Sequence, residues 1–414
     1  MLVPVPIADS FESFVRPGEL NVTEVLTKAA GVGPSHDELV DRAVRWRPTL
    51  IERSARAEEL RRIPPENVAE LKEKQFHLAG QPIRFGGLSA SLDTAAQVAR
   101  EVGRGCPSTA WMTGQWPGHQ FLVGMMGLEF QQEYWGPGPD TLSSTASAVM
   151  RMNARPDGDG ARITDSAIKF SSGIDYAEWV IVTIPLGVCL VPRSDFRIVD
   201  DWYVMGLRGT GSKSLVIDDA WVPPHRILPG ADFRAGGSPG AKLYPEVPLY
   251  QVPPNLVANL LLLAPMIGMG QGLLDIFEER VKSRVDLHSG QKAFQREVTQ
   301  LKFAESSFEI DTAAKVLVDC FAELCERGRE DREMTLEERV RLRRDMTQAA
   351  KFVLQAGERL LTAGDASGMY DSNRWQRWGR DLKMAGLQAS LTPDEIAISW
   401  SRVRWGLEPT SRRI

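Results

Sequence analysis

The sequence predicts an α+β protein, mostly α, in three parts: an N-terminal helical domain over 25–138, a central β domain over 139–230 and a C-terminal four-helix bundle over 245–414. Three observations predict it. Apolar residues recur at helical spacing before about residue 130. Between about 141 and 222, β-branched residues alternate with polar ones and turn residues punctuate them. Helical periodicity then returns, in runs long enough to pack as a bundle.

From Ser35 to Lys74 the apolar positions include Leu39, Val40, Ala43, Val44, Leu50, Ile51 and Leu60, set among charged residues. Pro64 and Pro65 break that helix and start the next, because proline lacks the N–H an interior turn needs but suits a first turn. Another helix is expected over 92–102. The segment 109–130 is apolar and aromatic, interrupted by Pro117 and glycines. Strands are expected over 161–170, 179–184, 188–191, 198–204 and 214–222, with ProAspGlyAspGly at 156–160 as a hairpin turn. LeuSerSerThr at 142–145 reads as a polar loop. A Gly/Pro-rich connector covers 229–254. Long helices follow over 256–284, 293–327 and 336–362, with a shorter one after Arg374.

Composition narrows the function classes. Against 49 Lys and Arg stand 54 Asp and Glu, a formal net charge of -5, so no broad basic field invites nucleic acid or an anionic membrane. A small, neutral or weakly charged substrate fits better. Cys106, Cys189, Cys320 and Cys325 form no CxxC pair, which argues against a zinc cage or a disulfide framework. The opening MLVPVPIADSFESF carries Asp9 and Glu12 and no basic segment before an apolar run, so no signal peptide and a cytoplasmic location are expected. The most apolar stretch, 256–269, contains Pro265 and falls short of a membrane-crossing length, so it reads as a buried helix. ArgGlyThrGlySer at 208–212 has no lysine directly after its last glycine and leads into a strand, so it reads as a tight turn and not a phosphate loop.

Local segments sharpen the reading. They are ArgPheGlyGly at 84–87, CysProSerThrAlaTrpMet at 106–112, PheSerSerGlyIleAspTyrAlaGluTrpVal at 170–180, GlyLeuArgGlyThrGlySer at 206–212 followed by ValIleAspAspAlaTrpValPro, and TyrAspSerAsnArgTrpGlnArgTrpGlyArgAsp at 370–381. Over roughly 40–390 the chain resembles the oxygenase components of two-component flavin-dependent monooxygenases related to p-hydroxyphenylacetate hydroxylase, in the acyl-CoA dehydrogenase superfamily. The resemblance implies the acyl-CoA dehydrogenase-like fold and a homotetramer. It implies reduced flavin, FADH2 or FMNH2, delivered by a separate NAD(P)H-dependent flavin reductase. With O2 as co-substrate this forms a C4a-hydroperoxide that oxygenates a small aromatic or polycyclic substrate in a dry pocket.

The same resemblance implies site residues. Ser171 and Ser172 would lie at the flavin, with Ser172 favoured beside N5; a strand-end serine capping a turn is the plainer alternative. Leu142 and Ser143 would lie between flavin and substrate, Ser143 with a catalytic contact, and Ser212 would line the site. Arg284 resembles an arginine near the flavin pyrophosphate, and equally fits a helix-end arginine favoured by the dipole. Gly364 belongs to a glycine-rich turn, where Asp365 departs from the usual GlyGly. Trp111, Trp116, His119 and Gln388 would contact substrate, although tryptophans also serve as helix-packing anchors.

One departure bears on chemistry. Most aromatic hydroxylases of this group carry a histidine seven residues after the ArgAsp pair, and here that position is Gln388, which cannot take a proton at neutral pH. His119 could take over acid/base work. His36, His77, His225 and His288 read as structural or surface residues. A true acyl-CoA dehydrogenase is the first rival, but LysMetAlaGlyLeuGlnAlaSer at 383–390 offers no carboxylate base before Asp394. A repurposed, non-redox member of the fold is the second.

Overall fold

The computed structural model describes residues 33–88, 92–146, 148–230, 237–285, 290–330, 332–364, 366–411 and 414. His288, Asp365 and the opening segment 1–32 lie outside the described residues. Ser35 caps helix α1 (His36–Leu60) by accepting the Glu38 amide, and Arg61 ends it in the left-handed region at φ 50°. Helix α2 (Pro65–Glu73) begins on the second proline. Helices α3 (Leu92–Gly103), α4 (Pro107–Gly124) and α5 (Leu128–Trp135) follow. Pro117 does not interrupt α4. An interior proline costs about 3 kcal/mol, and burial of α4 on nearly every side, against α3 and a C-terminal helix, offsets it.

Two four-stranded sheets make the central part. Strands β1 (Ser143–Ala146), β4 (Trp179–Ile184), β5 (Gly187–Pro192) and β8 (Ile227–Pro229) run in the order β1-β4-β5-β8, with β1 parallel to β4 and the other pairs antiparallel. Strands β2 (Ala148–Asp157), β3 (Gly160–Ser171), β6 (Arg197–Val199) and β7 (Lys213–Val222) form the antiparallel sheet β2-β3-β7-β6. The β2–β3 hairpin turns through Gly158 at φ 64°. Residues 143–145 of the segment expected as a loop open β1, because pairing with β4 recruits a segment that has no apolar alternation of its own. The strand expected over 198–204 stops at Val199, and the chain then leaves the sheet to bury Trp202.

Side-chain alternation gives the first sheet two buried faces. Val180, Val182, Ile184, Cys189 and Val191 meet Ile163, Ile168, Leu215 and Ile217 inside the sandwich. Trp179, Ile181, Val188 and Leu190 point the other way and join the helical core.

The C-terminal part holds α6 (Pro239–Leu243), α7 (Pro254–Ser283), α8 (Glu297–Arg327), α9 (Leu336–Ala363), α10 (Arg374–Gly386) and α11 (Asp394–Arg404). Helix α7 is the axis, touching α3, α4, α8, α9 and α10. Its 30 residues make it long and apolar enough to cross a membrane, contrary to the expectation of a shorter apolar stretch, and 78% of its most apolar window is buried inside the protein. Its apolar character is that of a core helix. A Cβ at Gly268 would lie 2.1 Å from the Arg100 carbonyl, so only glycine allows α7 to approach α3 this closely.

Candidate active site

The end of β3 is where the sandwich meets the helices. A bulge between Ile168 and Ser171 and a left-handed Phe170 at φ 64° turn the strand. Gly173 follows at φ 70°, and a Cβ there would lie 2.7 Å from Met112 Cε and 3.3 Å from the Trp116 ring. One face of α4 therefore abuts the Ser171–Gly173 corner. Ser171 is fully buried and its hydroxyl has no hydrogen-bond partner, and the same holds for the Trp116 indole N–H. Ser172 Oγ lies 2.7 Å from Ser212 Oγ, which lies 2.6 Å from Thr210 Oγ1, which donates to the Leu207 carbonyl at 2.8 Å. The backbone of the corner is tied down as well: Gly173 N donates to Thr210 O at 2.9 Å and Ser144 Oγ to Ser172 O at 2.8 Å.

His119, also on α4, braces β1. Its Nδ1 lies 2.8 Å from the Ser143 carbonyl, which can only accept, so Nδ1 carries the proton. Nε2 then accepts from Thr145 Oγ1 at 2.7 Å. Burial pushes the imidazole down to about 4, so it is neutral with both nitrogens engaged. Leu142 and Ser143 are thereby held at the entrance to β1. The Ser143 hydroxyl lies beside the Tyr134 phenol, without the geometry of a hydrogen bond. Trp111 is buried on the same helix.

Two further expected residues, Arg284 and Gly364, meet at one cleft in the bundle, with others the sequence did not single out. A cleft of about 160 Å³ is lined by Arg280, Arg284 and Arg296, with Gly364, Trp375 and Phe277 among its other walls. Arg284 ends α7 and its carbonyl accepts the Ala293 amide at 3.0 Å. Three guanidinium groups around one cleft favour an anion there, with Arg280 also donating to Ser367 Oγ. A larger hollow of about 310 Å³, lined by Arg42, Trp46, Glu70 and Lys74, lies on α1 and α2 and involves no residue of the serine corner. Gln388 sits in the turn beyond α10, where its Oε1 accepts the Ser390 amide at 2.5 Å; that bond is local and does not reach His119 or Ser143. His36, His77 and His225 are paired with Thr94, Asp140 and Glu133 at 2.8, 2.8 and 3.0 Å.

Comparison with known proteins places this geometry. The family model described as acyl-CoA dehydrogenase, C-terminal domain, matches residues 260–393, from α7 through α10. The oxygenase subunit HsaA, a flavin-dependent monooxygenase of Mycobacterium tuberculosis, is 30% identical over 375 residues, covering 87% of this chain and 94% of that one. The oxygenase component of an FADH2-dependent resorcinol hydroxylase from a Rhizobium species is 30% identical over 379 residues, covering 87% and 92%. The crystal structure of the M. tuberculosis HsaA monooxygenase superposes with a TM-score of 0.83 at 26% identity, covering 92% of this chain and 100% of that one. The chain belongs to the oxygenase components of the flavin-dependent monooxygenases. This oxygenase has the acyl-CoA dehydrogenase-like fold, uses reduced flavin and O2, and works with a separate flavin reductase.

The residues of the oxygenase fit a flavin. Unpartnered polar atoms on Ser171 and Trp116 are buried at the serine corner, and that of Ser143, on β1, beside Tyr134, as a ring edged with nitrogen and oxygen requires. The arginine cleft suits a phosphate-bearing tail.

Sequence reasoning missed how the oxygenase joins its β part to its bundle. Asp381 Oδ1 accepts the Leu207 amide at 2.5 Å, and burial pushes its carboxyl up to about 7. Arg380 donates to the Met205 carbonyl, and a Cβ at Gly206 would lie 2.1 Å from the Arg380 carbonyl. Glu58 of α1 binds Arg377 at 2.9 Å and Arg380 at 2.7 Å, with Arg208 at 3.6 Å. Burial alone would raise the Glu58 carboxyl, but hydrogen bonds and charge from Arg380 and Arg377 outweigh it and hold the group below the usual carboxylate range. The loop carrying Thr210 and Ser212 is thus clamped to α10. Both partners lie in segments the sequence singles out, GlyLeuArgGlyThrGlySer and the ArgAsp pair, but nothing in their spacing shows that they touch.

Proposed function

We propose that this oxygenase inserts oxygen into a small aromatic or polycyclic substrate that needs no strong base, being already electron-rich or offering an amine or an enolisable carbon. The observation that carries this is the state of His119 and Gln388. The first is neutral with both nitrogens engaged, and the second is a carboxamide that cannot take a proton and is bonded to its own turn, so neither can accept a substrate proton. Bound reduced flavin supplies the activation of O2. The chain's residues do the rest: Ser172 faces the flavin near N5, Leu142 and Ser143 separate it from substrate, and Met112, Trp111 and Trp116 keep water out. Arg280, Arg284 and Arg296 hold the flavin's phosphates.

A tetramer is part of the reading. Val298, Leu301, Phe308 and Val318 are exposed along α8, and Phe308 is 72% exposed, an apolar stripe suited to a neighbouring subunit. The four cysteines are free and buried, which suits a cytoplasmic, reducing setting.

The test is anaerobic mixing of the purified protein with reduced FAD or FMN, followed by O2 and a panel of phenols, arylamines and fused-ring substrates. Slowed flavin reoxidation and product from electron-rich or amine substrates are expected. Reoxidation at the rate of free flavin would sink the flavin assignment, and turnover of simple phenols alone would sink the substrate class.

A further inference from the structure

The hydroxyls of Ser172, Ser212 and Thr210 stand in single file, 2.7 and 2.6 Å apart, and the file ends 2.8 Å from the Leu207 carbonyl. That end has no proton to give. The same carbonyl already receives the Trp202 indole N–H at 3.2 Å and the Thr210 amide at 3.1 Å. If Thr210 donated toward Ser212 instead, two oxygens would face each other at 2.8 Å with lone pairs and no hydrogen between them. Thr210 therefore donates to Leu207, Ser212 donates to Thr210 and Ser172 donates to Ser212, since each hydroxyl has one proton. Ser172, itself buried, is left with only lone pairs for any further partner.

An acceptor at that position distinguishes the two redox states of a flavin. N5 of the reduced ring carries a hydrogen and donates, whereas N5 of the oxidised ring is bare and needs a donor. We propose that Thr210 is a positioning residue that sets the direction of this hydroxyl file, so that Ser172 accepts from reduced flavin and rejects the oxidised form. This rests on the placement of Ser172 beside N5 in the reading above. The clamp of Leu207 onto Asp381 fixes the terminal carbonyl and so the whole file.

Thr210→Val keeps the shape but can neither accept from Ser212 nor donate to Leu207, so Ser212 is free to reverse and Ser172 to become a donor. The measurement is the pair of dissociation constants for oxidised and reduced FAD, each titrated against wild type, T210V, T210S and S212A, the reduced series anaerobically. The wild type binds the reduced form more tightly. In T210V and S212A the ratio of the two constants falls at least tenfold, which for a two-electron couple lowers the potential of the bound flavin by about 30 mV. T210S restores the wild-type ratio. Unchanged ratios in T210V and S212A, with both forms still bound, overturn the role of the file alone. Wild-type protein that binds neither form overturns the Ser172 assignment and this inference with it. Should T210V not fold, S212A against T210S gives the same decision.

Discussion

Asp381 on α10 accepts the amide of Leu207 at 2.5 Å, joining two segments 174 residues apart. It is fully buried, and burial pushes its carboxyl up to about 7, against about 3.9 in an unfolded chain. A raised folded value means that the unfolded chain gives up this proton first. The stability that Asp381 contributes is therefore complete below about pH 4 and is lost as pH rises through about 7. Asp381→Asn cannot ionise. Between pH 5 and pH 8 the urea midpoint of the wild type should fall relative to that of D381N, and parallel profiles would show that the carboxyl does not titrate in this range.

Glu58→Gln should cost roughly 3 kcal/mol, the low end for breaking a partly buried ion pair, because Arg377 and Arg380 would keep their burial and lose their carboxylate. Here the folded carboxyl is depressed, so its contribution is present above its unfolded value and disappears as pH falls through the folded one. The deficit of E58Q, measured by urea unfolding at pH 7.5, should shrink in acid. A deficit that stays constant down to the acid transition would contradict the ion-pair account.

His119 should leave no mark on the pH dependence of turnover between about 5.5 and 8.5, since burial keeps its imidazole neutral down to about 4. His119→Asn retains a donor for the Ser143 carbonyl and loses the Thr145 bond. We expect lower turnover with an unchanged pH profile. A break near 6.5 in the wild type that vanishes in H119N would reveal a titrating imidazole.

Gln388→His should raise the hydroxylation of simple phenols at least tenfold if the missing base restricts substrate range, since a positioned general base contributes about 10² to 10⁴ in rate. Steady-state rates on phenol and on the preferred substrate, compared between wild type and Q388H, decide it. No gain on phenols would mean that the turn beyond α10 has no part in substrate choice.

Much of the fold was legible because periodicity is local. The 3.6-residue pattern located α1, α7 and α9, and alternation located β3 and β4, since each segment's own side chains reveal the face it buries. β1 escaped because Ser143, Ser144 and Thr145 carry no apolar alternation and become a strand only through pairing with β4. Pro117 suggested a break that the burial of α4 overrides. At the site, the serine corner was marked by a local segment, and of the arginine cleft only Arg284 and Gly364 were. The Ser172 file and the Asp381 clamp were not, because each needs a contact between residues far apart in the chain, Ser172 with Ser212 and Asp381 with Leu207. Ser172 and Ser212 are 40 residues apart in the chain, and Asp381 and Leu207 are 174 apart.

The sheet β1-β4-β5-β8 belongs to two cores at once, with Val180 and Val182 on one side and Trp179 and Ile181 on the other. Cut out alone, the sandwich would present that second face to water as a broad greasy panel, prone to clump. The sandwich therefore depends on the helices for its solubility, and heat should melt the molecule in a single step, without a surviving middle fragment.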